Sequence, residues 1–550
     1  MRVLYAETEP SVACQNTTRH DASVAAITGG AVYAVAAERV DRIKHSCDAG
    51  AAYAYLKARF PRVTLPELDC AYAPYREPHH HLSHAASAYY TSPFPRAAIL
   101  VLDGMGPYRH GMYMSTSVWS GAQETIEPIE SIEEPGICYR SVGHYYAAVS
   151  YYLGFPFHDV SFTMSLAPYG DAARYRSAMA SLIWPTADGL FDTDRDFIKF
   201  ATHTRFGSDF GWREDHAWLA AQRTRYAAML GAMRGADDRI EDRHMDLAAA
   251  AQERLEVILA AIVGHVRARL PGVENLCYAG GVALNCVANQ RVLSNTGFTA
   301  VHIPPAASDD GIALGRLLHQ AYSARDLAGR AVIPTAYLGP PYTRQDLESA
   351  LAAVGDQVIA TRWSKRRLLV EVARRIASGQ VVAWVQGRSE FGPRALGHRS
   401  VLADPRNPAI ATEISTKFKK REWFRPFAPS VLESRLAEYF DVHASMRFPL
   451  RFMLAAVMAR PAARRAFAGA LHVDGSARVH AVPDDGSIYS LLLAEYARQT
   501  GVPGLLNTSL NVPGAPIVET PRDALAVLLA SRLDALALGP WLIERRGPGT

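Results

Sequence analysis

Residues 97–106 read Ala-Ala-Ile-Leu-Val-Leu-Asp-Gly-Met-Gly, an apolar run that ends on Asp103 with Gly104 and Gly106 behind it. Six apolar residues bounded by turn formers predict a buried strand. A carboxylate at such a strand end points into a cleft, and the glycines let a ligand approach the backbone. The alternative is an aspartate that caps its own turn. Residues 111–119 supply a second arm. Upstream, Ser23–Thr28 and Ala31–Ala36 flank Gly29-Gly30 and predict another hairpin. A strand–glycine–strand opening used twice suits an α/β fold built around a nucleotide cleft.

Downstream, residues 245–270 predict a long helix. Leu255, Ile258, Leu259, Ile262 and Val266 fall on one stripe, and Pro271-Gly272 stops it. Next comes a short strand, Asn275–Ala279, then Gly280-Gly281 and a helical run through Leu293. Paired glycines between strand and helix present N–H groups and a positive helix end to a phosphate. The pattern is not G-x-G-x-x-G, so a Rossmann reading gains little. Residues 306–315 form an acidic turn, Ser308-Asp309-Asp310-Gly311, that enters a small-residue helix. Residues 171–245 are polar with weak periodicity and read as an insertion.

The chain has 550 residues, too many for one core, so at least two domains are expected. With 49% hydrophobic and 20% charged residues it reads as globular and soluble, not disordered or fibrous. The six cysteines make no C-x-x-C pair, which favours reduced thiols in a cytoplasmic protein. No signal peptide and no membrane span of ~20 apolar residues is expected. The linker candidate is 334–342, with three prolines and a glycine. Helices over 343–354 and 365–378 and a strand over 381–385 then open a second α/β unit.

Two constellations carry chemistry. In Pro78-His79-His80-His81-Leu82-Ser83-His84, His80 and His84 stand four residues apart on one helix face, where two imidazoles can reach one metal. The glutamate of the zinc-protease motif is replaced by His81, so hydrolysis by that route lacks its base. Surface or capping histidines are the alternative. The second constellation is the stretch 386–425, with nine Lys or Arg against four acids, a local excess of five positive charges where the whole chain has +4. Glycines and prolines among these charges argue for a structured loop that clamps phosphate oxygens. Nucleic acid is the rival, but aromatic interleaving is lacking.

Together these segments resemble the NodU/CmcH family of O-carbamoyltransferases over nearly the whole chain. The likeness is carried by His20-Asp21-Ala22-Ser23, HHLSHAASAYY, LDGMG, YAGGVALN, SDDGIALG, VQGRSEFGPRALGHRSVLADPR, KKREWFRPFAPSVLE, His472-x-Asp474-Gly475-Ser476-Ala477-Arg478 and Leu506-Asn507-Thr508-Ser509-Leu510-Asn511. The resemblance implies an actin/sugar-kinase/Hsp70-like (ASKHA) domain over residues 1–340 and a YrdC-like domain over 341–550. It implies that carbamoyl phosphate and ATP, with Mg²⁺, give carbamoyl-adenylate and pyrophosphate. The carbamoyl group then passes to a hydroxyl of a sugar or natural product, as in antibiotic tailoring.

By the same likeness His80, His84, Asp103 and Asp309 bind one metal. Iron(II) is implied, and zinc and manganese are chemically open. Gly104, Gly280, Gly281 and Asn285 line the nucleotide site, and His20 is the general base. Lys419, Arg421, Ser509 and Asn511 hold carbamoyl phosphate and ATP, with Arg388, Arg394, Arg399 and Arg478 as auxiliaries. A fold role is the alternative for any one of these arginines. No nucleic acid or membrane partner is expected, and family precedent implies a homodimer. Residues 5–19 are more polar than the usual segment before the HDAS motif, and 171–245 vary with the acceptor. Rival readings are an actin-fold ATPase or sugar kinase, carbamoyl-type modification of RNA, and a non-catalytic regulator.

Overall fold

The computed structural model describes residues 4–6, 21–28, 31–60, 79–107, 111–157, 159–206, 215–323 and 333–546. Both predicted hairpins are present. Ser23–Thr28 pairs antiparallel with Ala31–Ala36, and Leu4–Ala6 adds a third strand. The decisive run lies inside the strand Arg96–Pro107, the centre of a five-stranded mixed sheet. It runs parallel to Asn275–Ala279 on one side and antiparallel to Met112–Ala122 on the other. The ladder to Met112–Ala122 breaks between Leu102 and Gly106. A break of this kind bends the strand and re-aims its side chains, and Asp103 sits within it.

The histidine motif forms the helix His79–Thr91, which packs between this sheet and the helix Ile312–Ser323. From His80 to Thr91 nearly every residue is buried, so the helix depends on its neighbours and not on an exposed polar face. Close approach of the two helices requires Gly315: a Cβ there would lie 1.9 Å from the Ser83 carbonyl oxygen. The contact fixes the spacing between the histidines and the acidic turn Asp309–Gly311 that begins the second helix.

The long helix is Asp242–Arg269, with Leu255, Ile258, Leu259, Ile262 and Val266 buried as expected. The expected helical run to Leu293 differs. It breaks into a 3₁₀ turn at Gly281–Leu284, a new start at Cys286–Ala288 and a π-turn at Asn289–Leu293. The cause is Asn285, whose side chain accepts the Ala288 N–H and caps a fresh helix start in mid-run. The stretch 171–245 is not a polar appendage. Phe191, Phe197, Phe200 and Tyr226 are fully buried in the same core as the long helix. A few large aromatics do the packing there, which hides it from a periodicity reading.

The second unit is built on an eight-stranded mixed sheet. Its order is Val358–Arg362, Trp541–Arg545, Ala535–Leu538, Val382–Val385, Arg399–Ala403, Gly504–Ser509, Ala428–Leu432 and His480–Val482. The predicted linker is a bonded strap, not a free hinge. The Phe391 N–H donates to the Ala336 carbonyl (2.7 Å), the Gly339 N–H to Ser389 (3.1 Å), and Tyr337 stacks on His398 with centroids 3.6 Å apart. One apolar core runs from Leu100 and Leu255 through to Trp384 and Leu505. No helix among the described residues is long and apolar enough to cross a membrane.

Overpacking of this order costs about 1–3 kcal/mol. Gly315→Ala is therefore expected to lower Tm in a thermal melt. Gly264→Ala meets no atom within 4 Å and should leave Tm unchanged or slightly raised. Equal Tm values for the two variants would remove the close helix contact from the account.

Candidate active site

A cavity of about 1010 Å³ lies along both units and touches two chemically opposite clusters. One end is acidic. His80 Nε2 lies 3.1 Å from Asp103 Oδ2 and 3.6 Å from Asp309 Oδ1, and His84 Nε2 lies 3.3 Å from Asp309 Oδ1. One ligand atom from each of the four residues falls within 4.8 Å of the others. Gly106 makes room for this, since a Cβ there would strike the His80 ring at 2.1 Å. Asp103 Oδ1 also accepts the Gly281 N–H at 3.1 Å. Burial works against its charge, but the hydrogen bond from His80 holds it well below the usual carboxylate range.

The quartet fits a divalent cation on its own chemistry. Two buried carboxylates are costly without compensation, and neutral imidazoles bring no charge. Both ring nitrogens of His84 are buried with no hydrogen-bond partner, as a ring shaped to ligate a metal would be. His81, between them in sequence, is used differently. Its Nε2 donates to the Met114 carbonyl (3.1 Å), and its Nδ1 accepts from the Ser117 hydroxyl (2.8 Å). Burial, with His80 beside it, pushes its pKa down to about 3, so it remains neutral. Asp310 turns to the Ser308 hydroxyl at 2.9 Å, which separates it from Asp309.

The other end is cationic. Lys419 is delivered by a π-turn, Ile414–Lys419, and is buried. It donates to the Ser509 carbonyl, to Ser509 Oγ (3.2 Å), and to the carbonyl and Oδ1 of Asn511 (3.1 and 2.7 Å). Burial and the neighbouring Arg421 and Arg425 depress its pKa well below that of an ordinary lysine. Burial, Arg425 and Arg478 push Arg421 down to about 9. Arg394 and Arg478 line the same wall, each with a buried Nε that has no hydrogen-bond partner. Cations that depress one another's protonation in this way generate a potential suited to a polyanion.

Backbone strain collects along the cavity. Among the described residues six non-glycines have positive φ, and four of them line it: Asp21 (65°), His45 (57°), Lys420 (45°) and Met453 (57°). Such conformations cluster at functional sites.

Several sequence-derived assignments land elsewhere. Arg399 is fully buried and donates to the carbonyls of Gln386, Gly387, His398 and Glu519. Arg388 donates to the carbonyls of Val32, Leu338 and Gly339. Neither lines the cavity, and the contacts of both are those of the alternative fold role. Gly280 is also off the cavity: with φ 91° it packs on Leu102, where a Cβ would lie 2.1 Å from the carbonyl oxygen. Gly104, Gly281 and Asn285 do line it, although the Asn285 amide is engaged with Gln252 at 3.0 Å. His20 lies outside the described residues.

Other lining residues escaped the sequence reading. Asp21 Oδ1 meets His45 Nδ1 at 2.8 Å, and Glu38 accepts the His45 N–H at 3.0 Å. Their signal was the charge-dense stretch 38–45 after the first hairpin. His144 donates from Nδ1 to the Cys138 carbonyl at 2.8 Å, and burial lowers its pKa. A single histidine in an apolar helix gave no signal.

The family model described as Carbamoyltransferase N-terminus matches residues 68–318, and that described as Carbamoyltransferase C-terminus matches residues 373–545. The Synechocystis protein sll1178 is 36% identical over 489 residues, covering 85% of this chain and 75% of its own. Nodulation protein NolO of Bradyrhizobium diazoefficiens is 35% identical over 469 residues, covering 85% and 79%. The 3'-hydroxymethylcephem-O-carbamoyltransferase of Amycolatopsis lactamdurans is 33% identical over 301 residues, 54% of each chain.

Metal content separates the two adjacent aspartates. His84→Ala and Asp309→Asn are expected to weaken divalent-metal binding by at least tenfold, measured by chelator competition and elemental analysis. Asp310→Asn should retain it. Retention in Asp309→Asn with loss in Asp310→Asn would reverse the assignment.

Proposed function

The chain belongs to the carbamoyltransferase family, a family of enzymes, and from that premise we propose that it is an ATP-dependent O-carbamoyltransferase with two linked active centres. The observation that carries this reading is the single cavity that touches both the His80, His84, Asp103, Asp309 quartet and the Lys419, Ser509, Asn511 cluster. On this reading residues 341–550 are a YrdC-like activating domain and residues 1–340 an ASKHA-type transfer domain. Carbamoyl phosphate, ATP and one water yield carbamoyl-adenylate, phosphate and pyrophosphate: hydrolysis of carbamoyl phosphate releases phosphate and leaves carbamate, whose oxygen then displaces pyrophosphate from the α-phosphorus of ATP. Lys419, Arg421, Arg394 and Arg478 hold the phosphates of carbamoyl phosphate and of ATP, which brings its own Mg²⁺, and the Ser509 and Asn511 side chains fix the carbamoyl end.

In the transfer half Asp103 and Asp309 with His80 and His84 hold the divalent ion, for which iron(II) is our first choice. When bound, it supplies positive charge to the adenylate phosphate as AMP departs. His20 takes the proton of the attacking hydroxyl. The acceptor is a small hydroxyl-bearing molecule, a class supported by the relative whose name specifies a hydroxymethyl cephem. These substrates imply a cytoplasmic enzyme. The mixed anhydride is prone to hydrolysis, and a walled cavity between the centres limits its contact with water.

Two measurements test the reading. Protein incubated with ATP, Mg²⁺ and carbamoyl phosphate without acceptor is expected to release pyrophosphate only when carbamoyl phosphate is present. Lys419→Ala should reduce that release at least a hundredfold, whereas His84→Ala should retain it and lose transfer. Pyrophosphate release without carbamoyl phosphate would sink the proposal. The second measurement concerns pH. A depressed lysine pKa means the ammonium is lost early as pH rises, so affinity for the phosphate substrates falls on the alkaline side. Lys419→Arg is expected to shift that limb to higher pH.

A further inference from the structure

The activating cluster includes a loop held at one end by its own unit and gripped at the other end by the first unit. Residues 511–517 line the cavity beside Lys419. At one end Asn511 accepts from Lys419 and donates from Nδ2 to the Ala515 carbonyl at 2.6 Å, folding the loop over the lysine. The tip, Pro513-Gly514, is exposed. At the far end the carbonyls of Pro516 and Ile517 receive a two-pronged grip. Arg42 donates to Ile517 from Nη1 at 2.7 Å and to Pro516 from Nη2 at 2.8 Å.

Arg42 is itself held for this contact. It ends the short helix Ala37–Asp41 in a left-handed conformation (φ 67°), and its N–H closes on the Glu38 carbonyl at 3.1 Å. The same helix sends Arg39 into the second unit, where it donates to the Gly392 carbonyl at 2.7 Å. Two residues after Arg42, Lys44 and His45 line the cavity near Asp21. The backbone that carries the grip is thus continuous with the acidic end of the site. The planar guanidinium suits two adjacent carbonyls, a geometry a lysine cannot match.

We propose that Arg42 is a positioning residue for donor activation: it fixes the 511–517 loop so that Asn511 aims Lys419 at the phosphates. This assignment rests on the reading of the Lys419 cluster as the activating centre. A residue of the first unit thereby sets the affinity of the second, and loosening either end of the cavity is felt at the other. Arg42 touches neither substrate nor reacting atoms, so its effect falls on KM more than on kcat.

Two independent readouts on the intact protein test this. In Arg42→Ala, hydrogen exchange across 511–518 is expected to accelerate at least tenfold, with exchange in the Ala535–Leu538 strand unchanged. The KM for ATP and carbamoyl phosphate in acceptor-free pyrophosphate release should rise about tenfold, with kcat within twofold, and Arg42→Lys should recover part of both effects. Unchanged exchange in a folded variant overturns the grip. Faster exchange with unaltered KM overturns the positioning role. If Arg42→Ala does not fold, Arg42→Lys carries the test, and wild-type values of both readouts would overturn the proposal. Failure of the wild-type protein to release pyrophosphate refutes the reaction, and the exchange arm then still decides the grip.

Discussion

Opposite charges are concentrated at two ends of one buried cavity, and much of the fold serves to hold them apart. At one end Asp103 and Asp309 face each other across two imidazoles. At the other, burial and neighbouring arginines depress the protonation of Lys419 and Arg421. If the clusters met they would neutralise each other as ion pairs and bind nothing. They are built on different elements, Asp103 on the five-stranded sheet and Ser509 on the eight-stranded one. The separation creates two potentials, one suited to a cation and the other to polyphosphate.

That separation requires the two units to be rigidly placed, and here arginine serves a second purpose. Arg39, Arg42, Arg388 and Arg399 all donate to backbone carbonyls, and three of these four reach across from one unit to the other. These carbonyl ties sit beside carboxylates, Glu519 and Glu390 near Arg399 and Asp523 and Glu519 near Arg42, so the buried guanidinium charge is compensated at a distance while the planar forks join the units.

This double use explains where the sequence could be read and where it could not. Local patterns, an i, i+4 pair and a strand end, marked His80, His84 and Asp103 as candidates. The four-residue set with Asp309 came from the family resemblance, since an acidic turn alone does not separate Asp309 from Asp310. Arg388 and Arg399 were not legible, because phosphate-binding and carbonyl-tying arginines look alike in a glycine-rich basic stretch. The break at Asn285 was missed since its cap competes with a helix that composition alone would continue. The aromatic core of 171–245 was missed because few large side chains leave little period. His144 depends on tertiary placement that no local pattern encodes, and the charge-dense stretch 38–45 did not by itself say that His45 would meet Asp21.

The remaining question is why one chain should house both ends. On the proposed reaction, a charged intermediate released to bulk water would be diluted and hydrolysed before reaching a second protein. Both clusters, and the strained turns at Lys420 and Met453, line one cavity. Strained backbone there is retained because the flanking elements over-determine it. Met453 packs in the core that joins the two units, whereas Ile414 and Phe418 of the π-turn before Lys420 pack in a separate core of the second unit. Joining the units therefore supplies the packing that keeps the strained backbone at Met453, while the turn that delivers Lys419 and Lys420 is fixed from within the second unit.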